Sequence, residues 1–146
     1  MQRLSEHTLD DIFLQNKIPI RLACVSNVGY PSVLSLWYTI LHGKVYCATK
    51  KNSRVVKFLE NNNLCGFEIA ADAPPYKGIR GRGIASIRPE MGKSILALLI
   101  EKYLGNHTSK LSKYLSENSE DEVAIEISPQ HVSLYDYSKR MSDVKW

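Results

Sequence analysis

The sequence predicts a mainly β fold, with about six antiparallel strands forming a small barrel and a few α-helices at its flanks. Three observations carry that reading. Short runs rich in Val, Ile, Leu, Tyr and Cys recur along the 146 residues, most of them bounded by Gly, Pro or Asn. One segment, from Pro89 to Gly105, has the length and apolar density of a strong helix. No repeat, low-complexity stretch or linker divides residues 1–146, a length suited to one domain around one core.

The apolar spacing of Leu9, Ile12 and Phe13 after Ser5 predicts a short opening helix. "IPIRLACVS" then switches to strand character, and Pro19, which lacks an N–H, predicts a strand that begins at a sheet edge. "NVGYP" is a turn, because Asn and Gly tolerate positive φ and Pro31 restarts an extended segment. "SVLSLWYTIL" reads as one second strand, closed by His42-Gly43, and "KVYCAT" as a third, so the three form an antiparallel meander. A helix of about three turns should follow, ending at Asn61. "LCGFEIAA" is a buried fourth strand, "DAPPYK" a loop, and "GIRGRGIASI" a fifth strand whose glycines imply a bend or close packing. After the helix from Pro89 to Gly105, "TSKLSKYLSEN" is a weaker helix or turn. "EVAIEIS" alternates as a sixth strand, and "HVSLYDY" extends the sheet.

Hydrophobic residues make up 44% and charged residues 23%, ordinary globular proportions. Lys and Arg outnumber Asp and Glu by 19 to 15, a net charge of +4 that suits an anionic small ligand as well as nucleic acid. No run approaches the roughly 20 apolar residues of a membrane span. "MQRLSEHTLDDIF" lacks the apolar stretch of a signal peptide, so a cytoplasmic protein with no membrane partner is expected. Asn106-His107-Thr108 fits a glycosylation pattern, which has meaning only in a secreted chain. Cys24, Cys47 and Cys65, an odd and sparse set in apolar runs, are expected as reduced, buried thiols. His7, His42, His107 and His131 have no spacing that suggests a metal site, and none is expected. The acidic run "SENSEDE", Ser116 to Glu122, reads as a solvated connector.

One cluster of charge stands out. Lys50, Lys51, Arg54 and Lys57 crowd the joint between the third strand and the helix that follows. Thr49 ends the strand, and Asn52 and Ser53 are both good N-caps. The unpaired N–H groups of that helix, its positive dipole end, a hydroxyl and a forked guanidinium are together the elements of a phosphate site. On the residues alone, an ordinary basic helix start stays open beside the anion site. "GIRGRG" is no dinucleotide fingerprint, since no helix starts after it. No catalytic triad or paired carboxylates can be assembled from the sequence. A basic nucleic-acid-binding barrel is disfavoured, because the cations gather at one helix mouth and do not track a groove.

In order and spacing, "RLACVSNVGYPSVLSLWY", "GKVYCATKKNSRVVKFLENN", "CGFEIAADAPPYKGIRGRGIASI" and "EISPQHVSLYDYSKRM" resemble the pyridoxamine 5'-phosphate oxidase-like superfamily of FMN-binding split-barrel proteins, with its deazaflavin-using relatives. The resemblance runs from Ile18 to Met141. It implies a six-stranded antiparallel split β-barrel with flanking helices, and a homodimer whose flavin sites are shared between subunits. Ser32, Val33, Leu34, Ser35, Leu36 and Trp37 would then lie along the flavin ring, largely through backbone groups. Thr49, Lys50, Lys51, Ser53, Arg54 and Lys57 would surround the phosphate, and Arg80 or Arg82 would reach the partner's cofactor. Where the family often has Ser-Arg-Lys, this chain has Ser53-Arg54-Val55, with the next cation at Lys57. The implied function is a flavin-dependent oxidoreductase acting on a small-molecule redox substrate, with FMN or the deazaflavin coenzyme as cofactor. The alternative is a protein that binds or stores flavin or haem without turnover, with His131 as the candidate haem ligand. The family's C-terminal arginine motif for pyridoxamine phosphate is not found here.

Overall fold

The structure is a computed structural model, and it describes residues 17–105 and 109–141. The expected opening helix at Ser5–Phe13, His7 and the Asn106-His107-Thr108 pattern lie outside the described residues. Seven strands form one antiparallel sheet: β1 Ile20–Val25, β2 Pro31–Leu36, β3 Thr39–Leu41, β4 Lys44–Lys50, β5 Leu64–Ala70, β6 Lys77–Arg88 and β7 Glu122–Asp136. Three α-helices accompany them, α1 Arg54–Asn61, α2 Gly92–Leu104 and α3 Lys110–Glu117.

The strand order is β2-β1-β5-β6-β7-β4-β3, and this corrects the expected count of six and the expected meander. "SVLSLWYTIL" is not one strand. It breaks at Trp37-Tyr38, so that β2 pairs with β1 and β3 pairs with β4 at the opposite edge of the sheet. Two residues cannot span a flat seven-stranded sheet, since a residue reaches at most about 3.6 Å and neighbouring strands lie about 4.8 Å apart. The sheet must therefore curl until its two edges meet at Trp37-Tyr38, while β2 and β3 stay unpaired with each other. The result is a barrel left open along one seam. Pro19 likewise precedes an interior strand, with β1 held between β2 and β5. It stands just before the first ladder residue, where its missing N–H costs nothing.

"EVAIEIS" and "HVSLYDY" are halves of one 15-residue strand. Pro129 fits inside β7 because β7 has left β4 after Ile127, and because the ladder with β6 shifts register between Arg82 and Gly83. The glycines of β6 are there for close packing, as the sequence suggested. A Cβ on Gly81 would strike the Phe67 ring, and one on Gly78 would come 2.8 Å from the Tyr135 hydroxyl. The hairpin between β3 and β4 turns at His42 (φ 53°) and Gly43 (φ 76°), a turn that needs two left-handed residues.

The inward row of the barrel gives the main core, with Ile20, Leu22, Val45, Ile79, Ile125 and Ile127 almost fully buried. α1, shorter than expected at 8 residues, adds Val55, Val56 and Leu59 to that core. α2 covers the outside of β4 and β7, where Ile95, Leu99 and Tyr103 pack with Tyr46 and Ala124. Proline at the start of a 3-10 turn opens α2, and Gly105, at φ 75°, closes it in the left-handed region. Cys24, Cys47 and Cys65 are buried and unbonded to one another, as expected.

Candidate functional site

The mouth of α1 is built where β4 runs out. Ser53 N–H donates to the Lys50 carbonyl at 3.0 Å, which turns the chain from strand to helix. Ser53 holds the N-cap position with extended backbone, yet its side chain makes no capping bond. Its Oγ is buried with no hydrogen-bond partner among the described residues. Such an atom carries a desolvation cost that nothing offsets within the chain. Arg54 and Lys57, one turn apart on the exposed side of α1, take no ion-pair partner among the described residues.

The two lysines behave differently. Lys50 Nζ pairs with Glu122 Oε1 at 3.2 Å and also donates to the Asn118 carbonyl. Lys51 Nζ pairs with Asp121 Oδ1 at 3.2 Å, and its N–H donates to the Asp121 carbonyl at 2.8 Å. The acidic run is thus no plain connector. Glu122 is buried at the start of β7, and Asp121 and Glu122 fasten that strand's entry to the end of β4. Thr49 lies opposite Val123 in the same ladder, partly buried. The structure therefore gathers Lys50, Lys51, Ser53 and Arg54 at one joint but leaves Ser53 and Arg54 as its uncommitted groups.

Ser32, Val33, Leu34, Ser35 and Leu36 form most of β2, an edge strand with one neighbour. Its outer backbone N–H and C=O groups are free of ladder partners among the described residues. Leu34 and Leu36 pack on the core, whereas Val33 is 71% exposed. Trp37 stacks on Tyr103 at 4.9 Å between centroids, with the rings 5° from parallel.

Arg80 and Arg82 lie on the outer face of β6, away from the barrel interior. Arg80 Nε pairs with Glu68 Oε2 at 2.8 Å, and its guanidinium sits 4.1 Å over the Tyr135 ring. The Glu68 carboxylate first, and the Tyr137 hydroxyl after it, hold its proton more tightly than usual. Arg82 lines a small recess with Leu64, Ile84 and Gln130. His131 is exposed, its Nε2 3.4 Å from the Ser133 hydroxyl. Tyr76 anchors its loop through its carbonyl, which accepts from Tyr137 N–H at 2.9 Å.

Two buried polar clusters were not visible in the sequence. Lys102 donates to the Tyr38 carbonyl at 2.8 Å and lies 3.6 Å from the Tyr38 ring centroid, bracing the link between the sheet edges. Burial pushes its pKa down to about 8. As a cation in the last turn of a helix it reads as dipole complementarity, and nothing local reports the burial. Glu126 accepts from the Tyr46 hydroxyl at 2.9 Å and pairs with Lys44 and Arg88, each at 3.3 Å. Burial alone would raise its pKa, but the Tyr46 hydroxyl and the two cations hold it below the usual carboxylate range. The strand alternation of "EVAIEIS" did place Glu126 on one face, without revealing that Tyr46, Lys44 and Arg88 close around it.

No protein-family model matches the sequence, and no curated protein is significantly similar to it. Solved structures do match. An F420 reductase is 19% identical with a TM-score of 0.71, over 91% of this chain and 98% of that one. A Listeria innocua protein proposed as a pyridoxamine 5'-phosphate oxidase is 19% identical with a TM-score of 0.67, over 88% of this chain and 96% of that one. HutZ, the haem storage protein of Vibrio cholerae, is 18% identical with a TM-score of 0.66, over 92% of this chain and 95% of that one. At such identities the likeness is one of fold, and the three names point to three different ligands. The chain has the fold of the pyridoxamine 5'-phosphate oxidase-like split-barrel superfamily.

Proposed function

We infer that this chain is a homodimeric oxidoreductase that binds a flavin, FMN or the deazaflavin coenzyme, and acts on a small-molecule redox substrate. The observation that carries the reading is Ser53. Among the described residues, its hydroxyl is buried without a partner at the start of α1, directly before an arginine that makes no ion pair. A phosphate oxygen would satisfy that hydroxyl, the first-turn N–H groups and Arg54 together. The residues present fit the group. Lys50 and Lys51, neutralised by Glu122 and Asp121, would contribute mainly by fixing the loop, and Lys57 would add charge from the next turn.

When bound, the flavin supplies the hydride acceptor and donor. The chain's part is to hold and orient it. The free edge of β2 offers backbone donors for a ring that gains negative charge on reduction, with Trp37 at the strand's end. Arg80 and Arg82 on the outer face would serve the partner's site. No side chain is needed as acid or base, which agrees with a site built from backbone, hydroxyl and guanidinium.

The fold likeness to a haem storage protein supports the second reading, a binding or storage protein without turnover. Absorption titration of the purified protein with FMN, deazaflavin coenzyme and haem tests both. Flavin bands shifted on binding, with fluorescence quenched, and turnover with a reduced nicotinamide, support the enzyme. A Soret band with no flavin response puts haem storage in its place. Changing Arg54 to Ala should weaken flavin binding by about 2 kcal/mol, or roughly thirtyfold. Unchanged affinity would remove α1 from the site.

A further inference from the structure

A trough lined by charged and aromatic side chains lies on the outer face of the sheet, away from the mouth of α1. Antiparallel register aligns Arg21, Glu68 and Arg80 as one row across β1, β5 and β6. The next row on the same face holds Ala70, Gly78 and Tyr135, continued by Pro19 before β1. Its members from Pro19 to Gly78 are small, so a trough opens beside the charged row, lined further by Asp72 and Tyr76 and by Tyr137, whose hydroxyl reaches Arg80. The cavity measures about 350 Å³. Gly78 has to be glycine, because a Cβ there would come 2.5 Å from the Ile69 carbonyl oxygen.

The polar groups are held in place but not used up. Glu68 Oε2 accepts from Arg80 Nε at 2.8 Å and from the Tyr135 hydroxyl at 3.2 Å, which leaves Oε1 without a partner among the described residues. Arg21 Nη1 donates to Ser35 Oγ at 3.0 Å and to the Pro19 carbonyl at 3.4 Å, which leaves Nη2 open in the same sense. Arg21 and Glu68 face each other across neighbouring strands, yet the ion pair of Glu68 is with Arg80. An unused guanidinium edge thus stands beside an unused carboxylate oxygen. Across the trough the two arginines balance Glu68 and Asp72, so neither a phosphate nor a polyamine is matched by charge.

The geometry points to an aromatic α-amino acid as the occupant. Its carboxylate and ammonium are carried on one carbon, as Arg21 and Glu68 are carried side by side, and each would receive a charge-assisted hydrogen bond. Its ring would lie over the small floor against Tyr76 and Tyr137, where ring–ring contact adds to burial. A cavity of about 350 Å³ falls at the small end of ligand pockets, which suits one ring and a short head group.

The test uses the whole chain as purified, with L-phenylalanine as probe followed by calorimetry and amide NMR. Saturable one-to-one binding is expected, with shifts centred on Ala70, Ala71 and Gly78. 3-Phenylpropionate, which lacks the ammonium, and 2-phenylethylamine, which lacks the carboxylate, should each bind about tenfold more weakly. Arg21→Gln, at an exposed position, should cost about tenfold with the melting temperature unchanged, whereas Arg54→Ala should leave this binding intact. Absence of saturation up to about 10 mM would overturn the proposal. So would truncated analogues binding as well as the parent, an Arg21→Gln variant of undiminished affinity, or shifts centred on the mouth of α1.

Discussion

Ser53 separates folding from function on a single atom. Its buried hydroxyl has no partner among the described residues, so removing it relieves a desolvation cost without breaking a bond there. Ser53→Ala should therefore leave the ligand-free protein as stable as the wild type or up to about 1 kcal/mol more stable, while flavin affinity falls. Urea unfolding beside a flavin titration reads both; a loss of stability without loss of affinity would make Ser53 a structural cap. Lys102 is the other residue under tension. Its pKa is pushed from 10.5 to about 8 by burial, with Cys47 acting in the opposite direction. Between those values the unfolded chain binds more protons than the folded one, so this residue's contribution to stability rises with pH across the window and is flat below it. Because Lys102→Met does not titrate there, the stability of the wild type relative to that variant should grow from pH 8 to 10.5. A constant difference across that window would mean that carbonyl and rings fully offset the burial.

Elements inherit their limits from such contacts. Gly92 opens α2 against the first residues of β7, and a Cβ there would run into the Glu122 carbonyl. Gly92→Ala should cost about 2–3 kcal/mol, seen as a lower urea midpoint, because backbone cannot move aside as a side-chain tip can. An unchanged midpoint would show that α2 can shift on the sheet. The sequence made the strands themselves legible, since turn residues and alternation are local signals. It also marked the ends of α2, because Pro89 and Gly105 act through their own backbone. The break at Trp37-Tyr38 was not legible. Both residues suit a strand, and the break is imposed by curl, which depends on which strands pair. For the same reason "EVAIEIS" and "HVSLYDY" read as separate stretches on either side of Pro129, although the departure of β4 lets one strand run through that proline. At the candidate site the cation cluster could be seen in the sequence, but its division could not. Lys50 and Lys51 are claimed by Glu122 and Asp121, about 70 positions away along the chain, while Arg54 takes no ion-pair partner among the described residues.

At the scale of the whole molecule, the outer face of the sheet divides into a polar end and an apolar one. The trough occupies the polar end. Toward the other end, Val33, Leu64 and Ile84 stand 71%, 59% and 37% exposed, and Ala23 and Gly66 between them keep the surface flat. Contiguous apolar area of this kind on a sheet face is what a second subunit covers, and Arg82 beside it would then point toward that subunit. The homodimer we propose should therefore form through this face, with the flavin sites completed across it. Val33→Asp together with Ile84→Asp places two like charges opposite their own symmetry mates in such an interface, a repulsion of several kcal/mol. Light scattering after size exclusion should give twice the chain mass for the wild type and the single-chain mass for the double variant, with circular dichroism unchanged because both side chains are exposed. If flavin binding is lost with the dimer, the site needs both subunits. If the double variant stays dimeric, the subunits meet elsewhere, and Arg80 and Arg82 cannot serve a partner's cofactor from this face.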